Sequence, residues 1–217
     1  MPPRSEKIQP GPRGLSREVM VATAVRVMEA TGETGFSVRK VGAEMGCDPM
    51  AILYHFKSKE GLHRAMADWL TAQLRPVPAA LPWDARLRAL AMQYRQLALQ
   101  YRGTFGLMLR FVNTGVSDFA HIEAVYGAIC DAGVPEAEVP AVVLSWYAAV
   151  YGLAAGETGG MIRPATQAEQ DEVAALPDAD YPLLKRFMPR FASLDSGAVF
   201  EAALGMLHAG IRVRAGQ

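Results

Sequence analysis

The sequence is poor in cysteine and histidine, carries no net charge, and has no stretch of alternating apolar and polar residues. Cys47 and Cys130 are its only cysteines, and neither has a second thiol or a histidine at metal-ligand spacing. A disulfide framework and a zinc module are thereby excluded, and a reducing compartment is expected. With four histidines, there is no glycine-rich phosphate loop and no carboxylate pair at catalytic spacing, and His121-Ile122-Glu123 does not read as a metal motif. The expectation is a protein that is not an enzyme, with no cofactor and no metal. The opening MPPRSEKIQPGPRG lacks the apolar core of a signal peptide. One uncharged run, residues 139–156, approaches the roughly 18 residues of a membrane helix. It contains Pro140 and Ser145, is rich in Ala and Gly, and has no basic anchors, so it reads as a buried bundle helix of a cytoplasmic protein. Without any period-two segment, the predicted fold class is all-α.

Apolar residues make up 51% of the chain and charged residues 20%, enough for a substantial core. Charge is uneven: residues 1–64 hold 10 Lys/Arg against 7 Asp/Glu, and the rest 12 against 15. A basic first third on an acidic remainder suits contact with a polyanion at one end. That end contains SVRKVGAEMGCDPMAILYHFKSK, residues 37–59. Ser37 is a candidate N-cap, and Val38, Val41 and Met45 share a face. Gly46 suits a left-handed helix stop, and Asp48-Pro49 restarts the chain with a cap and a first-position proline. Ile52 and Phe56 then point inward, while Gly42 allows two helices to cross closely. Two short helices about a glycine turn form a helix-turn-helix; a plain helical hairpin is the competing reading.

Elsewhere, residues 1–14 read as a flexible basic arm and residues 15–75 as the helix-turn-helix domain. A first helix over residues 16–31, capped by Ser16 and stapled by Leu15 on Met20, ends at Gly32. A fourth starts after Ser58 and runs until Pro76. A proline-bearing linker over residues 76–82 precedes a helical domain at 83–217. Its helices are predicted at 85–101 behind Asp84, 104–113, from Ser117 to Gly133, 140–157, 167–176, 183–191 and 196–213.

These residues resemble the TetR family of one-component bacterial repressors. The family pattern looks like a basic arm, a first helix ending near Gly, a Ser/Thr-hydrophobic pair, A-x-x-x-G, and Y-x-H-F-x-S/N-K-x-x-L. Here Gly32, Ser37-Val38, Gly42 with Gly46, and His55-Phe56-Lys57-Ser58-Lys59 followed by Leu62 carry the likeness. Trp83, Ala132-Gly133 and FEAALGMLHAGI give a looser likeness to the tetracycline-repressor type of core. Two positions depart: Leu53 stands where the family has Tyr, with Tyr54 next, and Gly42 replaces Ala. The resemblance implies a ligand-responsive repressor that binds double-stranded, palindromic operator DNA as a homodimer and releases it on binding a small molecule. An all-α interaction protein without specific DNA binding is the alternative. The tetracycline-binding subgroup is not implied, because no set of His and carboxylate residues suits a metal–drug chelate.

Expected DNA-binding residues are Ser37, Arg39, Asp48, Pro49, Met50, Ala51, Tyr54, His55 and Lys59. Arg39 suits guanine, Met50 and Ala51 suit a thymine methyl, and Ser37, Tyr54, His55 and Lys59 suit phosphates. Each has a local counterpart: Ser37 only caps, His55 bonds within the turn, Arg39 pairs with Glu44. The expected effector pocket comprises Met92, Phe105, Met108, Phe111, Asn113, His121, Tyr126, Trp146, Tyr147 and Tyr151, with plain core as the competing role. The expected dimer surface comprises Ala148, Ala149, Gly152, Ala155 and Gly156 with Leu204, Leu207 and Ile211, two helices per protomer in a four-helix bundle. Packing of that face inside the protomer is the other reading.

Overall fold

The computed structural model describes residues 16–111 and 115–216, all helix and connection, with no strand among them. The N-terminal arm, the Leu15 staple and Asn113 lie outside the described residues. In chain order the helices are α1 (Arg17–Gly35), α2 (Val38–Met45), α3 (Pro49–Phe56), α4 (Lys59–Thr71), α5 (Trp83–Gln100) and α6 (Gly106–Arg110). They continue with α7 (Val116–Asp131), α8 (Val139–Thr158), α9 (Gln167–Ala174), α10 (Pro182–Ala192) and α11 (Ser196–Arg214).

The first four helices start where a short polar side chain satisfies an end N–H. Ser16 Oγ accepts from Val19 at 3.2 Å, Ser37 Oγ from Lys40 at 3.3 Å, Asp48 from Met50 at 2.8 Å, and Ser58 Oγ from Gly61 at 2.9 Å. Each such cap is worth about 1 kcal/mol. Gly46 closes α2 at φ 64, a conformation that costs glycine nothing. Regular α1 geometry breaks at Gly32 (φ 66, ψ 171), the predicted stop, before a last turn reaching Gly35. Several predicted boundaries move, and the helix expected over residues 104–113 is confined to Gly106–Arg110 among the described residues. α4 ends at Thr71, not at Pro76, because residues 72–73 tighten into a turn. α5 begins at Trp83 behind Pro82, so Asp84 lies inside its first turn and bonds Arg212 at 2.7 Å. α7 begins after Gly115, one residue before Ser117 can cap it.

Two hydrophobic cores result. The first joins α1–α4 around Met20, Met28, Val41, Ile52, Phe56, Leu62 and Met66. The second joins α5, α7, α8 and α11 around Leu87, Tyr94, Ile129, Trp146 and Phe200. α4 belongs to both: Leu62, Met66 and Ala67 lie in the first, Leu70 in the second. So does α6 with its flanks, since Leu107 and Phe111 enter the first core and Phe105 and Met108 the second. Polar ties reinforce this joint. Glu29 of α1 accepts from the Gly103 N–H at 3.0 Å and the Thr104 hydroxyl at 2.6 Å, and Glu33 pairs with Arg110 at 2.7 Å.

At the start of α4, a Cβ on Gly61 would fall 2.0 Å from the Phe56 carbonyl oxygen. Gly61→Ala therefore forces α3 and α4 apart and costs about 2 kcal/mol, measurable as a fall in melting temperature with helicity retained at 20 °C or so. Three buried histidines add a pH response. Burial lowers the affinity of His63, His121 and His208 for a proton, and for His63 the Lys59 and Arg110 charges lower it further. The unfolded chain thus binds more protons below about pH 6.5, so stability present at neutral pH is lost as pH falls through that value. Urea midpoints should drop between about pH 7.5 and 5.5, and by less in His63→Gln.

Candidate functional site

α3 is fixed from beneath by Ile52 and Phe56, which are buried, so its opposite row faces solvent. Met50 is 66% and Tyr54 75% exposed on that row, with Ala51 and Leu53 half-buried at its margins. Tyr54, one place beyond the half-buried Leu53, is therefore the exposed aromatic of α3. Pro49 is half-buried beside Gly42, whose added Cβ would lie 3.1 Å from the Pro49 ring and 2.8 Å from the Cys47 carbonyl oxygen. Close crossing of α2 and α3 at this glycine matches expectation. Asp48 spends a carboxylate oxygen on the α3 cap, and Ser37 likewise caps α2.

Glu44 pairs with Arg26 of α1 at 3.0 Å, not with Arg39. Arg39 is exposed and has no ion-pair partner among the described residues. Lys59 is exposed at the first position of α4, its ammonium 5.6 Å from the Phe36 ring centroid. Two cations not anticipated flank this face. Lys57 holds φ 68 at the end of α3, rare for a side-chain-bearing residue, and its ammonium lies 5.1 Å from the Tyr54 ring centroid. Arg17 lies over the Phe56 ring at 4.4 Å and donates to the His55 carbonyl oxygen at 3.0 Å. Their sequence signal was the basic excess of residues 1–64; which of those cations adjoin α3 depends on the packing of α1.

A second feature is a cavity of about 430 Å³ bounded by α4, α6, α7 and α8. Met108, Phe111, Tyr126, Tyr147 and Tyr151 line it, as expected. Thr71, Leu109, Asp118, Ile122, Val143, Leu144 and Ala148 also line it and were missed, because their register between helices is not visible along one helix. Other expected pocket residues lie elsewhere. Phe105 is fully packed in the second core, and Met92 packs against that core from the side. His121 is buried off the cavity, and Trp146 turns towards α11. Thr71 brings the end of α4 to the cavity wall, and Leu109 brings α6.

The fold has counterparts among known proteins. The family described as "Tetracyclin repressor-like, C-terminal domain" matches residues 76–215, and "Bacterial regulatory proteins, tetR family" matches residues 20–66. This chain belongs to the TetR family. Tetracycline repressor protein class D of Escherichia coli is 32% identical over 91 residues, which span 41% of this chain and 42% of that protein. The class A repressor from transposon 1721 of Escherichia coli is 24% identical over 212 residues, 92% of each chain. Among solved structures, ActR of Streptomyces coelicolor in complex with actinorhodin has the same fold: TM-score 0.81, 20% identity, 94% of this chain and 99% of that one. TetR-family proteins are transcriptional regulators with an N-terminal helix-turn-helix and a helical C-terminal domain, and the all-α architecture here is of that kind.

The remaining feature of this TetR-family chain is an open apolar face along α8 and α11, a groove of about 860 Å³. Ala149 and Leu207 line it, as expected for a dimer surface, and Gly152 and Ala155 extend along α8, the former meeting only open space. Ile211, though buried, lines the floor of the groove, and three expected residues do not serve it. Leu204 is buried, because the period-3.6 series through Phe200 is the inward face of α11. The outward row is Ala203, Met206, Gly210 and Val213, with Met206 71% exposed. Gly156 abuts Met161 and Ile162 of its own chain, and Ala148 turns into the cavity. Ala149→Glu with Met206→Glu places charges on this face only. Light scattering should show the double variant at half the mass of the wild type, with unchanged helicity, since a desolvated unpaired charge costs several kcal/mol.

Proposed function

We propose that this TetR-family chain is a ligand-responsive repressor that binds a palindromic operator as a homodimer and is released by a small molecule. The observation that carries the reading is the outward row of α3, held rigidly from behind and flanked by Arg39, Lys57 and Lys59. A helix so presented enters a major groove with its N-terminal residues at base edges. Arg39, whose guanidinium is not consumed by Glu44, is the side chain suited to guanine, and Met50 and Ala51 suit a thymine methyl. Tyr54, His55 and Lys59 suit phosphates, and Lys57 joins them. Asp48, Pro49 and Ser37 serve chiefly by holding α2 and α3 in this attitude. Residues 15–75 thus form the DNA-binding part and residues 83–217 the ligand-binding and dimerising part.

In this reading a second copy docks on the α8–α11 face, so that one dimer presents two α3 helices to DNA. Ligand in the cavity acts on α4 through Thr71 and on α6 through Leu109, and α6 is tied to α1 by Glu29 and Glu33. A ligand that favours a tilted α4 changes the separation of the two recognition helices, and its differential affinity for the two states sets the size of the switch. Such a protein works in the cytoplasm and performs no turnover.

Mobility-shift titration against the DNA upstream of its own reading frame tests the reading. Sequence-dependent binding that survives about 150 mM salt is expected; binding insensitive to sequence and lost at that salt would sink it. Arg39→Ala should relax the preference at one base pair by about 1–3 kcal/mol. Lys59→Ala should weaken all sequences alike and flatten the salt dependence.

A further inference from the structure

On the reading of α3 as the recognition helix, its attitude towards DNA depends on what holds its two ends. The first end is set locally, by the Asp48 cap and by Pro49 lying against Gly42. The far end closes with the Lys57 N–H donating to the Leu53 carbonyl oxygen at 2.7 Å. Lys57 itself takes φ 68, a conformation rare for a side-chain-bearing residue that persists where surrounding contacts impose it. Carbonyls in the last turn of a helix need donors from outside it. For His55 that donor is Arg17, the first residue of α1 and 38 positions away in the chain, whose Nη1 reaches the carbonyl oxygen at 3.0 Å. The same guanidinium lies 4.4 Å from the centroid of the Phe56 ring, which is buried in the first core.

One cation thus stacks on the anchor of α3, satisfies a terminal carbonyl and sets positive charge at the negative end of the helix dipole. α1 packs mainly on α2 and α4. Arg17 ties it to the end of α3, as Arg26 through Glu44 ties it to α2. The turn held in this way carries the groups suited to phosphates. Tyr54 and His55 stand with ring centroids 5.9 Å apart, and the Lys57 ammonium lies over the Tyr54 ring. A rotation of the turn would displace all three together. We propose that Arg17 is a positioning residue for operator recognition. By stacking on Phe56 and bonding the His55 carbonyl it fixes the C-terminal turn of α3, and with it the phosphate-facing side chains, without touching DNA itself.

Arg17→Lys keeps the charge and loses the flat fork that stacks and bonds at once; Arg17→Gln loses the charge as well. Each full-length variant is titrated across a salt series against the DNA upstream of its own reading frame and against an unrelated duplex of equal length. Both should retain helicity and lose about tenfold of the preference for the upstream DNA. Because Arg17 neutralises no phosphate, the slope of log affinity against log salt should match the wild type in both. In a double-mutant cycle Arg17→Lys should add little to Tyr54→Phe, since both act through one turn, and should add fully to Arg39→Ala on α2. Amide exchange without DNA should quicken at residues 55–58 and stay unchanged in α2. Wild-type affinity in Arg17→Lys with a shallower slope in Arg17→Gln would make Arg17 a phosphate contact and overturn the assignment. Full preference for the upstream DNA in both variants, additivity with Tyr54→Phe, or unchanged exchange at residues 55–58 would overturn it too. If the wild-type chain itself shows no sequence preference, the recognition-helix reading falls and takes this inference with it.

Discussion

The short α6 helix is the constraint on which the two halves of this molecule depend. Together with its flanking residues Phe105 and Phe111, it sends side chains alternately into both hydrophobic cores. Neither core is complete without it, so it cannot move without disturbing both. The carboxylate of Glu29 fixes the same segment to α1 through Gly103 and Thr104, where a Cβ on Gly103 would come within 2.9 Å of the Met28 carbonyl oxygen. Such a joint, packed and hydrogen-bonded, passes displacement on where a loop would absorb it. α4 is the second member of the joint, with Leu62 and Met66 in one core and Leu70 in the other. Both members also wall the cavity, Thr71 from α4 and Met108 and Leu109 from α6.

α8 explains how an apolar helix can belong to a regulator. It is long and apolar enough to cross a membrane, yet 39% of its most apolar window is buried within the chain. Val139, Trp146, Val150 and Ala154 face the second core. Leu144, Tyr147 and Tyr151 face the cavity, and Ser145, Ala149 and Leu153 face the groove with α11. A helix with three apolar neighbours has no polar stripe to show, which is why its hydrophobicity has no period.

Local chemistry made much of the DNA-facing part legible. Ser16, Ser37, Asp48 and Ser58 cap the helices expected of them because capping needs only an oxygen two or three residues before an unpaired N–H. Ile52 and Phe56 lie inward because four-residue spacing places them on one side of α3. The cavity and the open face were less legible. Trp146 and Phe105 carry aromatic rings like those of Tyr147 and Tyr151, yet they pack in the core. Leu204 and Ile211 mark the apolar stripe of α11, and that stripe was turned inward.

The amino-acid sequence by itself determined the all-α class, the capped helix-turn-helix, the break at Gly46 and the glycine crossing at Gly42. These rest on contacts between residues a few positions apart, where periodicity and backbone preference decide. Tertiary structure alone decided that Glu44 takes Arg26 and leaves Arg39 exposed, and that Lys57 and Arg17 join the basic face. It alone placed Asp118 in a wall of tyrosines, and it chose which rows of α8 and α11 remain outside. Those outcomes depend on the rotation of one helix against another, and that rotation is set by packing over the whole core, which no single stretch of sequence contains.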